Sequence, residues 1–179
     1  MKATGIVRRI DDLGRIVIPK EIRRTMRIRE GDPLEIYTTK EGEVIFKKYS
    51  LLGGLEDFAA QFCDTLNRST DFTTAITDRD SIIAVAGAPK RELLGKTLSE
   101  PLEKLMDRRQ VWRWEEGSAP VPACVGAEGY FTAVAAPILC AGDVLGLVLF
   151  LAGEGIPAGE TEHKLAQTVA AFLGKNMEN

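Results

Sequence analysis

Apolar positions in the first fifty or so residues alternate on a two-residue period and are broken by turn-forming clusters, a pattern that predicts short strands. Thr4 to Ile10 and Arg15 to Ile18 are rich in β-branched residues and flank Asp11-Asp12-Leu13-Gly14, so they read as two strands joined by a loop. Pro19 has a fixed φ that suits the start of a helix. It opens a short helical stretch in which Ile22 and Met26 share one face and Arg23, Arg24 and Arg27 lie elsewhere. Past the Arg29-Glu30-Gly31-Asp32 turn, Leu34, Ile36 and Thr38 alternate with Glu35 and Tyr37. After a second turn at Lys40 to Glu43, Val44 to Tyr49 returns as the other arm of a hairpin.

The period changes near Ser50. Leu51-Leu52-Gly53-Gly54 punctuates the chain, and Leu55, Phe58, Phe62 and Leu66 then recur every three or four residues, the stripe of an amphipathic helix. We place a domain boundary there, giving a head (1–50) and a body (51–179). In the body, Thr73 to Thr77 and Ser81 to Val85 form a hairpin around Asp78-Arg79-Asp80, and Ser99 to Arg109 reads as a helix. Phe131 to Leu139 and Val144 to Leu151, joined by Cys140-Ala141-Gly142-Asp143, make a more apolar hairpin. A last helix begins near Thr161, with Glu160 and Glu162 at its positive end and Leu165, Val169, Phe172 and Leu173 on its apolar face. The two outer helices are expected to pack together. The body is thus α+β.

Charge sharpens this division. The chain carries a formal charge of −3, but residues 1–49 hold twelve Lys and Arg against eight Asp and Glu, and the remainder holds eleven against eighteen. A basic head on an acidic body suits a partner with a local negative field, such as nucleic acid. Four short strands and one helical turn bury little core, and modules of that size need metals, disulfides or a partner chain. The three cysteines, Cys63, Cys124 and Cys140, lack the spacing of a zinc site or a redox pair, which leaves a second copy of the chain and predicts an obligate dimer. No basic-then-apolar leader is visible, and the longest apolar run, Val144 to Ala152, falls far short of a membrane span of about 20 residues. The expected location is cytoplasmic.

The run Met1-Lys2-Ala3-Thr4-Gly5-Ile6-Val7-Arg8-Arg9-Ile10-Asp11-Asp12-Leu13-Gly14-Arg15-Ile16-Val17-Ile18-Pro19-Lys20-Glu21-Ile22-Arg23-Arg24, continued by Leu34-Glu35-Ile36-Tyr37 and Lys47-Lys48-Tyr49, strongly resembles the AbrB-type transition-state regulators. In the body, Ala136-Pro137-Ile138-Leu139 and Val144 to Phe150 resemble a GAF domain, and the two in this order resemble a sporulation regulator. The resemblance implies a swapped-hairpin β-barrel in the head, built by two exchanging chains, followed by a GAF-like α+β domain. It implies binding to promoter DNA in the nucleoid and control of genes in the developing spore, activating some and repressing others. It also implies that Arg8, Arg15, Arg23 and Arg24, which match the family's DNA-contacting arginines, form the binding surface. Arginine suits that role because its planar fork engages two acceptors on guanine or phosphate.

Other chemistry is thin. Arg9, Arg27, Arg29, Lys47 and Lys48 read as structural or peripheral, because Glu21, Glu30, Asp32 and Glu35 lie close enough to neutralise some of them. Asp11 and Asp12 read as turn formers, not as an acid and base pair. His163 is the only histidine, which excludes a histidine metal cluster, and it reads as a helix-surface residue. Trp112 and Trp114 form either a lid over a pocket or a loop anchored by aromatic packing, and packing is the safer reading. The enzymatic alternative is a GAF-type thiol reductase of free methionine sulfoxide, for which Cys124 and Cys140 would have to meet. Two further alternatives are an antitoxin sharing the head fold and a scaffold whose head only dimerises. We expect no cofactor, no metal and no catalytic residue. A small-molecule effector of the GAF-like domain is open and its identity unknown. If the terminal helices of the body also self-associate, a homotetramer results.

Overall fold

The computed structural model describes residues 5–49 and 56–177. Thr4 and the segment Ser50 to Leu55 lie outside the described residues, and with them the start of the first expected strand, the Leu51-Leu52-Gly53-Gly54 boundary and the first position of the helical stripe. The chain divides into two compact units, Met1–Tyr49 and Ser50–Asn179.

In the first unit, Pro19 caps a short helix α1, Lys20–Thr25. The helix ends where Ile28 N–H reaches back to Arg23 O at 2.8 Å and Arg27 takes a positive φ of 51°, a reversal more often made by glycine. Leu34–Thr38 (β1) and Val44–Lys48 (β2) pair antiparallel from Leu34 opposite Lys48 to Thr38 opposite Val44. The two expected N-terminal strands are not formed: within one chain, 5–10 and 15–18 join no ladder. A strand exists only as a paired element, and these segments pair with neither β1 nor β2. Their apolar side chains stay in solvent, Val7 at 85 % and Val17 at 72 % exposure, with Ile6, Ile10, Leu13 and Ile16 also exposed.

The second unit begins with α2, Glu56–Ser69, and continues through β3 (Thr73–Thr77), β4 (Ile82–Ala86), α3 (Lys90–Leu93), α4 (Glu100–Asp107), β5 (Trp112–Arg113), β6 (Phe131–Cys140), β7 (Asp143–Ala152) and α5 (Glu160–Asn176). Its five strands form one antiparallel sheet in the order β4-β3-β7-β6-β5. β7 lies at the centre and is buried on both faces, which is why it reads as a continuous apolar run. Val148 and Phe150 point to the side covered by α2 and α5, where they meet Ala59, Cys63, Leu66, Ala166, Val169 and Leu173. Leu147, Leu149 and Leu151 point to the other side, against Leu93, Leu98, Leu102 and Met106. The strand period of two thus divides one sequence between two cores.

Local chemistry fixes the edges of this unit. Ser99 caps α4, its hydroxyl accepting Leu102 N–H at 3.2 Å while donating to Pro122 O. At the start of α5, Glu162 accepts the Gly159 N–H at 2.7 Å, and Arg113 of β5 reaches Glu160 at 3.1 Å. β5 and α3, unpredicted from sequence, are short segments ordered by their neighbours. Among the described residues, no helix is long and apolar enough to cross a membrane.

Candidate nucleic-acid interface

The four candidate arginines come from three pieces of the first unit. Arg8 lies on the segment before the Asp11 to Gly14 loop, Arg15 at the loop's far end, and Arg23 and Arg24 side by side on α1. Arg8, Arg15 and Arg24 are exposed, whereas Arg23 is half-buried. Its Nε is buried without a hydrogen-bond partner, so part of its side chain packs into the head. Arg24 also lines a shallow groove of about 360 Å³ with Lys20, Glu21 and Thr25.

The loop between Arg8 and Arg15 is closed by its own bonds. Asp11 N–H donates to Arg15 O at 3.0 Å, and Gly14 N–H to Asp11 O at 3.0 Å. Gly14 adopts φ +76°, open to it because it has no Cβ. The Asp11 carboxylate accepts from three donors: Oδ1 takes Leu13 N–H at 3.0 Å and Arg15 N–H at 2.7 Å, and Oδ2 takes Arg15 Nε–H at 2.8 Å. Hydrogen bonds from Arg15, first its backbone and then its side chain, hold this carboxyl below its usual range. Asp11 is therefore a turn former, as its sequence context suggests, and also a ligand of Arg15.

Two lysines of β2 are engaged within the head. Lys48 donates to Arg27 O at 2.8 Å and lies 3.7 Å from Asp32. Lys47 stands 4.6 Å over the Tyr37 ring. Asp32 also accepts Arg29 N–H at 2.7 Å.

In the second unit, the features singled out for chemistry resolve into packing. Cys63, Cys124 and Cys140 are free thiols. Cys124 belongs to the core on the α4 side of the sheet, and Cys140 packs against the core on the α5 side, so the sheet separates the pair that a reductase would need. Burial raises the Cys124 thiol and pushes Cys63 up to about 12, away from the reactive thiolate. Trp112 pairs opposite Ala135 and packs on the inner core. Trp114 donates its backbone N–H to Ala133 O and its indole N–H to Ser118 O, so it anchors the loop. His163 lies 3.8 Å from Glu160 at the mouth of an open cleft of about 410 Å³ that Arg113 and Glu115 also line. No group of three metal-ligating side chains occurs among the described residues.

Residues 54–178 match the family described as Stage V sporulation protein T C-terminal, transcription factor. Residues 7–50 match Antidote-toxin recognition MazE, bacterial antitoxin. The chain is 49 % identical over 179 residues to stage V sporulation protein T of Bacillus subtilis, covering 99 % of each chain. Its first part is 61 % identical over 49 residues to the transition state regulatory protein AbrB of the same organism, spanning 27 % of this chain and 50 % of AbrB. The free methionine-R-sulfoxide reductase, type II, of Thermoplasma acidophilum is similar at a TM-score of 0.52 and 12 % identity, over 69 % of this chain and 94 % of that one. The last is a likeness of fold alone.

Proposed function

The chain belongs to the stage V sporulation protein T family, and on that premise we propose that it is a DNA-binding transcription regulator of spore development. It activates some genes and represses others, from the cytoplasm at the nucleoid. The observation that carries this reading is the end-to-end match to the sporulation protein, joined to an AbrB-like head whose arginines lie at or near the surface. Arg8, Arg15, Arg23 and Arg24 form the DNA surface, through phosphates that position the head and base edges that select the site.

Two chains complete one head. The exposed apolar side chains of 6–17, which one chain leaves without a ladder, support strand exchange with a second copy, and the exchange repeats the four arginines about a two-fold axis. The body modulates assembly or binding. An effector, if one acts, uses an open cleft, because the interior between the sheet and α4 is filled by Leu93, Leu98, Leu102, Leu147 and Leu149. The body does no thiol chemistry, since Cys124 and Cys140 sit on opposite sides of the sheet. The antitoxin reading shares the head but calls for a flexible tail, where this chain folds a second unit.

The test is binding of the intact protein to genomic promoter fragments over a salt series. Eight arginines per dimer set a limit of about −7 on the slope of log affinity against log salt, reached only if all contact phosphate. Arg15→Ala and Arg23→Ala should each weaken selective binding by roughly ten- to a hundredfold. Selective binding that ignores both substitutions would overturn the arginine surface, and weak, unselective binding by the parent protein would favour a scaffold.

A further inference from the structure

We infer that Asp11 is a positioning residue that sets sequence selectivity, aiming the terminal nitrogens of Arg15 at a base edge with two acceptors while discouraging contact with phosphate. This inference rests on the reading of Arg15 as a DNA contact.

The geometry of the loop carries it. A guanidinium presents its N–H groups in a fixed plane, and a purine edge such as guanine O6 and N7 is met by two of them at once. The Arg15 Nε–H is occupied by Asp11 Oδ2 at 2.8 Å, and the side chain is otherwise 69 % exposed. The two terminal nitrogens therefore remain for an outside ligand. The plane of the fork is set by Asp11, and Asp11 is itself set by Leu13 N–H and Arg15 N–H on its other oxygen. Asp11 N–H and Gly14 N–H close the same loop, so Arg15 is tethered at its backbone and at its Nε to one carboxylate.

An ordinary exposed ion pair is worth little to stability and is readily exchanged. Here the worth lies in orientation, because ordering the arginine before contact lowers the entropy lost on binding. The negative charge of Asp11 adds a second effect. It repels a phosphate approaching the same nitrogens but meets no formal charge on a base edge, so it weakens unselective binding more than selective binding.

The experiment compares the tightest-bound genomic promoter fragment with a scrambled fragment of equal length, using the intact protein over a salt series. Asp11→Asn keeps an oxygen for Leu13 N–H and Arg15 N–H but removes the charge. It should lower the ratio of selective to unselective affinity by roughly tenfold, with unselective binding unchanged or severalfold tighter. Arg15→Lys keeps the charge but has neither a fork nor an Nε–H. It should lose the same ratio while retaining the salt slope, as expected of an arginine whose fork meets a base edge. In an Arg15→Ala background, Asp11→Asn should change the ratio by less than about twofold, since its action runs through the arginine. If Asp11→Asn leaves the ratio intact while Arg15→Ala lowers it, Arg15 reads DNA unaided and the inference is wrong. Should Arg15→Ala itself leave both affinities unchanged, the underlying assignment of the arginine fails instead.

Discussion

Single side chains in the head divide between those that face outward and those that hold them there. Arg15 is exposed, but its carboxylate partner accepts three hydrogen bonds, so the pair is more ordered than its exposure suggests. The folded pKa of Asp11 is depressed below its unfolded value. Stability from the contact is therefore fully present above the unfolded value of about 4 and is lost as pH falls through the lower folded value. Between pH 6 and 8 Asp11 stays ionised and contributes no pH dependence to DNA binding. Carboxyl NMR of the intact protein should show Asp11 titrating below its usual range, and Arg15→Ala should return it toward that range. An unshifted Asp11 in the parent protein would mean that the pair does not persist in solution. The four candidate arginines stand out in the sequence because they form part of a dense motif. The dual role of Asp11 was not, because residue type and turn context are the same whether the carboxylate caps only backbone or also binds a side chain.

Elements that pack at close range carry a different kind of information. Gly174 sits inside α5, where glycine costs about 1 kcal/mol relative to alanine, yet a Cβ there would lie 2.0 Å from Leu139 O of β6. The helix accepts that cost to approach the sheet. Gly174→Ala is accordingly expected to lose roughly 3 kcal/mol, overpacking outweighing helix propensity, measured as a lower urea midpoint for the body at unchanged slope. A stabilised variant would show that α5 stands further from β6. The apolar hairpin of β6 and β7 and the stripes of α2 and α5 were readable because their periods are long and regular. Two features escaped. β5 is two residues whose pairing with Ala135 and Val134 is decided by the neighbouring strand. The head segments at 5–10 and 15–18 carry strand-type residues but join no ladder within the chain, and a pattern alone does not say whether one forms.

At the scale of the whole molecule, the question is how many copies these surfaces call for. The head leaves Val7, Ile10, Leu13 and Val17 largely exposed, a liability that pairing with a second chain would remove. The body carries a second apolar surface of its own. Phe58 and Phe62 of α2 meet Phe172 of α5 with ring centroids 6.2 and 5.5 Å apart, so the outer helices do pack together, and Phe172 remains 46 % exposed. Two distinct self-complementary patches on one chain close into a tetramer when their two-fold axes meet at right angles, and this is the assembly we propose. Light scattering of the intact protein at micromolar concentration should then report four chains. Phe172→Ser removes the exposed ring and should weaken the body interface by about 2 kcal/mol per copy, roughly a thousandfold for the two copies in one interface, shifting the population toward dimers held by the heads. Those dimers should still bind promoter DNA, since the arginines belong to the head, but without the avidity of two heads in one particle. A parent protein that runs as a monomer would sink both interfaces together. A dimer unaffected by Phe172→Ser would remove only the body contact and leave the head exchange standing.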